Sequence, residues 1–283
     1  MRVVEHYIQR IPVERGKGRI LSLLGPCCAA KDDFVRKTMP DGFQMELSPH
    51  DYIQAWLLFR GYYEPAVVNF IRSRVRPGMD VVDVGAHVGF ITLVLAAHLH
   101  ANDRVHAFEP DRWNREHLLR HIRLNAFENV SVRPEALSDR TGLVTFYPSK
   151  EAKNRGLGSL SPGGHGGQAG VECRTIRLDD YMLTLCPERR DRIGLIKIDV
   201  EGAELQVLRG AESVLATGPT LVLEFVKGLA ASFGYSFQEL NDWLNDRNYK
   251  CFELSESGLK ELRSGDTPRT SEIVCIAENL SGK

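Results

Sequence analysis

From Met79 onward the sequence alternates short β-branched runs with longer segments of helical character. "MDVVDVG" reads as a buried strand and "FITLVLAAHLH" as the helix after it. "RVHAFEP" is a strand, and "DRWNREHLLRHIRLN" a helix with Asp111 as its N-cap. "VSVRPEAL" is a strand, and "GLVTFYP" and "VECRTIRL" are strand-like runs flanking a glycine-rich loop. Then come "IGLIKIDV" (strand), "AELQVLRGAESVLA" (helix), "TLVLEFV" (strand), "SFQELNDWLNDRN" (helix), and the strands "YKCFELS" and "SEIVCIAE". This alternation predicts an α/β fold, doubly wound, with a mostly parallel sheet covered by helices on both faces. No helix of comparable length separates the last two strands, so an antiparallel hairpin should close the sheet.

At 283 residues the chain suits one enlarged domain better than two. A net charge of -1 argues against a general nucleic-acid binder, which shows a basic surplus. The six cysteines include no C-x-x-C pair, and a chain this size needs no disulfide staples, so reduced thiols are expected. "MRVVEHYIQRIPVERGKGRI" lacks an apolar signal core, and no run approaches the ~18 apolar residues of a membrane span. The expected location is cytoplasmic. Before Met79, "GRILSLLGPCCAA" reads as a short helix and "GFQMELS" as a strand. "HDYIQAWLLFRG" is a helix stopped by Gly61, and "EPAVVNFIRSRV" one with Pro65 in its first turn. Residues 154–170, "NRGLGSLSPGGHGGQAG", read first as a flexible surface loop and second as a substrate lid.

Ligands of open α/β sheets bind at the carboxyl ends of the strands. "VVDVGAHVGF" runs a strand into a helix through Gly85 and Gly89. Gly85 can take a positive φ and bring a ligand close to the backbone, while Gly89 can let the helix pack tightly. Glu109, closing the next strand, is placed to accept from both hydroxyls of a ribose. The dinucleotide pattern G-x-G-x-x-G is not met, because His87 stands where its middle glycine should be. Asp83, just ahead of the turn, also suits a pyrophosphate poorly. S-adenosylmethionine carries a sulfonium and an ammonium instead, and acidic strand ends suit both.

In "LIKIDVEGAELQVLRGA" a buried strand ends in Asp199, followed by Glu201 and Glu204. Lys197, two residues earlier, should point to the same side as Asp199. Helix capping alone explains two acids at a strand end poorly, since one cap suffices.

These segments resemble the FkbM-type S-adenosylmethionine-dependent methyltransferases. The resemblance runs through "GYYEP", "VVDVGAHVGFIT", "AFEPD", "LNAFENV", "EALSD", "TIRLDDYM", "LIKIDVEGAELQVLRGA" and "LVLEF", in the family's order. It implies the seven-stranded, Rossmann-like sheet of class I methyltransferases with an antiparallel last strand. Residues 1–60 would then be an N-terminal helical and strand extension covering the acceptor site, and 61–283 the S-adenosylmethionine-binding domain. The resemblance further implies Glu64, Asp83, Gly85, His87, Glu109, Ala136, Ser138 and Asp199 around the cofactor. Asp83, Gly85 and His87 would line its methionine end, Glu109 the ribose, and Ala136 and Ser138 the adenine. The family often has asparagine at the position of His87.

The expected reaction is O-methylation of a hydroxyl on a sugar, glycolipid or secondary metabolite. Asp199 is the first candidate for general base and Glu201 the second; Glu224 and the loop histidine His165 are weaker ones. N- or carboxyl-methylation on the same fold is the alternative, followed by a nicotinamide oxidoreductase and a non-catalytic cofactor binder. No metal ligand set is assigned: Asp199 offers one ligand and no second or third stands out. His117 and His121 lie at i, i+4 without the H-E-x-x-H pattern and read as a solvated helix face. The partner expected is a small-molecule or glycan acceptor, not nucleic acid, and no feature sets the oligomeric state.

Overall fold

The computed structural model describes residues 34–100, 102–151, 154–161 and 169–278. The helix expected over "GRILSLLGPCCAA", with Cys27 and Cys28, and the loop histidine His165 lie outside them. An antiparallel hairpin, β1 (Val35–Thr38) and β2 (Gln44–Leu47), comes first. Helix α1 (Tyr52–Arg60) is capped by Asp51, which accepts from the Gln54 N–H, and is closed by Gly61 at φ 82°. Helix α2 (Pro65–Arg74) begins on Pro65, whose missing N–H costs nothing there.

The alternating part follows: β3 (Asp80–Val84), α3 (Phe90–His98), β4 (Val105–Phe108), α4 (Arg112–Leu124), β5 (Val130–Arg133), β6 (Ala136–Leu137), β7 (Gly142–Phe146) and β8 (Val171–Ile176). After these come α5 (Leu178–Leu183), α6 (Pro187–Arg190), β9 (Ile193–Ile198), α7 (Glu204–Arg209), α8 (Glu212–Leu215) and β10 (Thr220–Glu224). The chain closes with α9 (Lys227–Ser232), α10 (Phe237–Asn245), β11 (Tyr249–Ser255), β12 (Gly258–Glu261) and β13 (Glu272–Ala277).

The main sheet has the order β12-β11-β13-β10-β9-β3-β4-β5. Strands β5, β4, β3, β9 and β10 are parallel, and β13 is antiparallel to both its neighbours. The seven expected strands are present, the last of them antiparallel. The last two expected strands do pair antiparallel, with β13 lying between β10 and β11. Its Ile273, Val274 and Cys275 are apolar toward both faces and fully buried, which suits an interior strand. An unexpected eighth strand, the exposed and charged "GLKE" of β12, takes the edge instead.

Two other segments depart from expectation. "VSVRPEAL" is not one strand. Pro134 has no N–H to continue the ladder, so β5 stays in the main sheet and β6 joins β8 and β7 in a second, three-stranded one. The helix expected over "AELQVLRGAESVLA" breaks at Gly210, where a Cβ would stand 2.0 Å from the Ser138 carbonyl oxygen.

Strand alternation sends neighbours into two cores. Val81, Val105, Leu195 and Val222 pack beneath α1 to α4, and Val82, Phe108, Ile196 and Leu223 pack under the opposite helices. Asp83, Glu109, Lys197, Asp199 and Glu224 continue the first set by twos toward the carboxyl ends of their strands. Cys173, Cys186, Cys251 and Cys275 are free thiols. Among the described residues no helix is long and apolar enough to cross a membrane.

Candidate active site

A cavity of about 300 Å³ opens at the carboxyl end of β3, β4, β9 and β10. Asp83, Gly85, His87, Glu109, Ala136, Asp199, Glu201 and Glu64 all line it. Ser138 does not. It is buried with its N–H on the Ile176 carbonyl and its hydroxyl on Asp139, and Leu137 takes the place beside Ala136 in the cavity wall. The reason is local packing: the Ser138 N–H continues the β6 ladder to β8, and its carbonyl is pressed against Gly210.

The glycine turn is built by close packing. Gly85 has φ 78°, and a Cβ there would lie 1.8 Å from the Asp199 carbonyl oxygen. Gly85 lines the cavity, and the close approach of the neighbouring strand end also requires a glycine there. Gly89 behaves as expected, because a Cβ would meet Leu118 of α4 at 2.4 Å. His87 between them is left-handed at φ 51°, as are Glu64 at 48° and Glu201 at 54°. Such backbone strain in non-glycine residues costs roughly 1–3 kcal/mol each and gathers at functional sites.

The Glu109 carboxylate accepts from the His87 N–H at 2.7 Å and the Asp111 N–H at 2.8 Å. Burial pushes this carboxyl up to about 7 against those hydrogen bonds. Asp83 is fully buried on its strand; one oxygen accepts from the Thr92 hydroxyl at 2.5 Å and Oδ1 has no partner. His87 Nε2 is likewise buried without a partner. Unpaired buried acceptors are costly unless a ligand supplies the missing donor.

On the other side of the cavity, Asp199 Oδ2 receives Lys197 Nζ at 2.8 Å. Oxygens of Asp199, Glu201 and Glu224 lie within 4.8 Å of one another. Glu201 and Glu224, named from the sequence as candidate bases but not as metal ligands, are the two carboxylates beside Asp199. The fold provides both, one from the turn after β9 and one from the end of β10. Burial is the largest single influence on Asp199 and opposes its ionisation, but the Lys197 charge and the neighbouring polar groups together outweigh it and hold the carboxyl below its usual range. The charge of Asp199, then burial, drives Glu224 up to about 11, so Glu224 is a hydrogen-bond donor at neutral pH. Burial, then Asp199, lifts Glu201 to about 8, and burial lifts Glu64 to about 7.

Neither Asp199 nor Glu201 caps the following helix. That helix has no side-chain cap; Glu204, its first residue, instead braces the preceding turn by accepting from the Gly202 and Val200 N–H groups, while its other oxygen takes the Tyr235 hydroxyl at 2.7 Å. Both acids are therefore free to face the cavity.

Residues 83–251 match the methyltransferase FkbM domain. The chain belongs to the FkbM methyltransferase family. It is 32% identical over 166 residues to the 31-O-demethyl-FK506 methyltransferase FkbM of Streptomyces tacrolimicus, covering 49% of this chain and 61% of that one. It is 28% identical over 156 residues to methyltransferase sdnD of Sordaria araneosa, covering 47% and 60%. The match thus spans about three-fifths of each relative. The solved methyltransferase FkbM from Methylobacillus flagellatus KT aligns with 80% of this chain and 53% of its own, at 17% identity and a TM-score of 0.45.

Within this FkbM-family chain the N-terminal segment and the glycine-rich loop also reach the cavity, through Tyr52, Ile53, Tyr63, Leu157 and Leu160. Arg155 fastens the loop. Its guanidinium sits 4.4 Å from the Trp113 ring centroid, its N–H reaches Asp51, and its carbonyl accepts from Asn114. No periodicity signalled these contacts, which join segments far apart in sequence. Lys197 could have been singled out by its i, i+2 spacing to Asp199. His121 corrects the solvated reading. It is fully buried, and a neutral ring donating to the Val88 carbonyl and accepting from the Glu46 N–H satisfies both nitrogens, binding α4 to β2. His117 is half-buried and stacked on Trp113.

Proposed function

We propose that the chain is an S-adenosylmethionine-dependent methyltransferase that methylates a hydroxyl group of a small-molecule or glycan acceptor. The unpaired Oδ1 of buried Asp83 carries the cofactor assignment. A ligand ammonium would satisfy it, whereas a pyrophosphate would add negative charge to an acid-lined wall. Among the described lining residues Lys197 is the one lysine or arginine, and Asp199 already engages it. When bound, this cofactor supplies a methyl group on a positively charged sulfur. Asp83 and the Gly85–His87 backbone would hold the methionine end, Glu109 the ribose hydroxyls, and Ala136 with Leu137 the adenine.

Asp199 would take the proton of the acceptor hydroxyl at its carboxylate, a contribution of typically about 10²–10⁴-fold. Glu201, with its raised affinity for protons, is the second candidate. The relative named a 31-O-demethyl-FK506 methyltransferase supports oxygen as the acceptor atom. A carboxylate acceptor would meet an acidic wall whose lysine is engaged. An acceptor-side role for the described part of residues 1–60 is supported by Tyr52 and Ile53, which line the same cavity as Asp199.

The test is thermal denaturation and calorimetry with S-adenosylhomocysteine and with NAD. The former should bind and raise the melting temperature, and Asp83→Asn should weaken its binding about tenfold, the worth of one charge-assisted hydrogen bond. Stabilisation by NAD alone would overturn the reading.

A further inference from the structure

The acidic wall raises the question of what balances it. Three carboxylates within 4.8 Å of one another could offer oxygens to a divalent ion. The same place already contains a cation. Lys197 rises from the middle of β9, its side chain 8% exposed, and its Nζ lies 2.8 Å from Asp199 Oδ2. Its register partner on β3 is Asp83 and its partner on β10 is Val222, one alternation before Glu224. The aliphatic stem is thus flanked by two strands, and the ammonium is buried against the cluster.

Resting on the methyltransferase reading, we infer that Lys197, not a divalent metal, is the cation around which Asp199, Glu201 and Glu224 are arranged, and that it positions Asp199 toward the acceptor hydroxyl. A metal bound to these oxygens would lie against a buried ammonium that cannot withdraw, and like charges in a poorly solvated pocket repel strongly. Asp199 is held from β9 by Lys197, and an oxygen of Glu224, at the end of β10, lies within 4.8 Å of it. The other groups facing it are Glu201 and Glu204 from the following turn and helix, Asp83 from β3, His87 from the glycine turn, and Tyr63 and Glu64 ahead of α2. Lys197 further faces Asp83 and Glu64, so one ammonium serves both the cofactor side and the acceptor side of the cavity.

The experiment titrates manganese(II) into the full chain under electron paramagnetic resonance, with and without S-adenosylhomocysteine. The wild type should bind no manganese below about millimolar concentration, the weak end of carboxylate sites. Lys197→Met leaves the carboxylates without their cation and should gain a manganese site, and Lys197→Arg should not. Lys197→Gln replaces the methionine variant if that one does not fold. Tight manganese binding by the wild type, lost in Glu224→Gln, would overturn the inference. So would a folded Lys197→Met or Lys197→Gln chain that takes up none. Calorimetry with S-adenosylhomocysteine separates this outcome from failure of the cofactor reading. With an acceptor found by labelled-methyl screening, chelation should leave wild-type turnover unchanged. Lys197→Met should move the acid limb of the kcat profile upward by about one pH unit or more, and Lys197→Arg should restore it. Turnover abolished by chelation, or an unmoved limb, would count against it.

Discussion

Asp83 and Lys197 are direct partners across adjacent parallel strands, β3 and β9, on one face of the sheet. That pairing ties the acid before the glycine turn to the strand that ends in Asp199. The two carboxylate-bearing motifs, more than a hundred residues apart in sequence, become one wall.

Asp199→Asn removes the proton acceptor while conserving shape. Turnover should fall by about 10²–10⁴-fold, with S-adenosylhomocysteine affinity kept within a few-fold by calorimetry. Turnover at the wild-type level would transfer the base role away from Asp199.

Gly85→Ala and Gly78→Ala separate crowding from backbone strain. Both glycines are left-handed, at φ 78° and 86°, but a Cβ at Gly78 meets nothing within 4 Å while one at Gly85 collides with the Asp199 carbonyl. Gly78→Ala should cost about 1–2 kcal/mol, the left-handed penalty alone. Gly85→Ala should cost more than about 3 kcal/mol in urea unfolding and weaken cofactor binding. Equal losses in the two variants would contradict the close approach of β9.

Glu201 makes ligand-free stability depend on pH. Burial and then Asp199 raise its carboxyl to about 8 from the ordinary 4.5. Between those values the folded chain holds a proton that the unfolded chain has lost, so stability falls as pH rises. Full stability from this group is present below about pH 4.5 and is gone above about pH 8. Glu201→Gln should therefore gain on the wild type progressively across that window. The gain should appear as a rise in Tm of roughly 2–4 °C per kcal/mol. A constant difference from pH 5 to 9 would show that Glu201 titrates normally.

Arg155 should act on ligand residence. Trp113→Ala removes the ring beneath its guanidinium, a contact worth about 0.5–1 kcal/mol when exposed. Release of S-adenosylhomocysteine should quicken about two- to fivefold, alongside a fall in Tm from the packing Trp113 gives to the core and to His117. Stopped-flow displacement reads this directly, and an unchanged off-rate would mean that the loop does not cover the ligand.

The sequence alone determined the α/β class, the sites of the main alternating strands and helices, and the helix ends at Gly61 and Asp111. These depend on local periodicity and on hydrogen bonds within one turn. It also marked Asp83, Gly85, Glu109 and Asp199, because strand ends before glycine turns are visible in one dimension. Only the tertiary structure decided that Ser138 turns away while Leu137 faces the cavity. It also decided that β13 inserts beside β10, that Glu224 and Glu201 reach Asp199, and that Arg155 closes on Trp113. Each of these depends on strand order or on contact between distant segments. Residue spacing does not carry that information, because it is set by which apolar faces must be buried against each other.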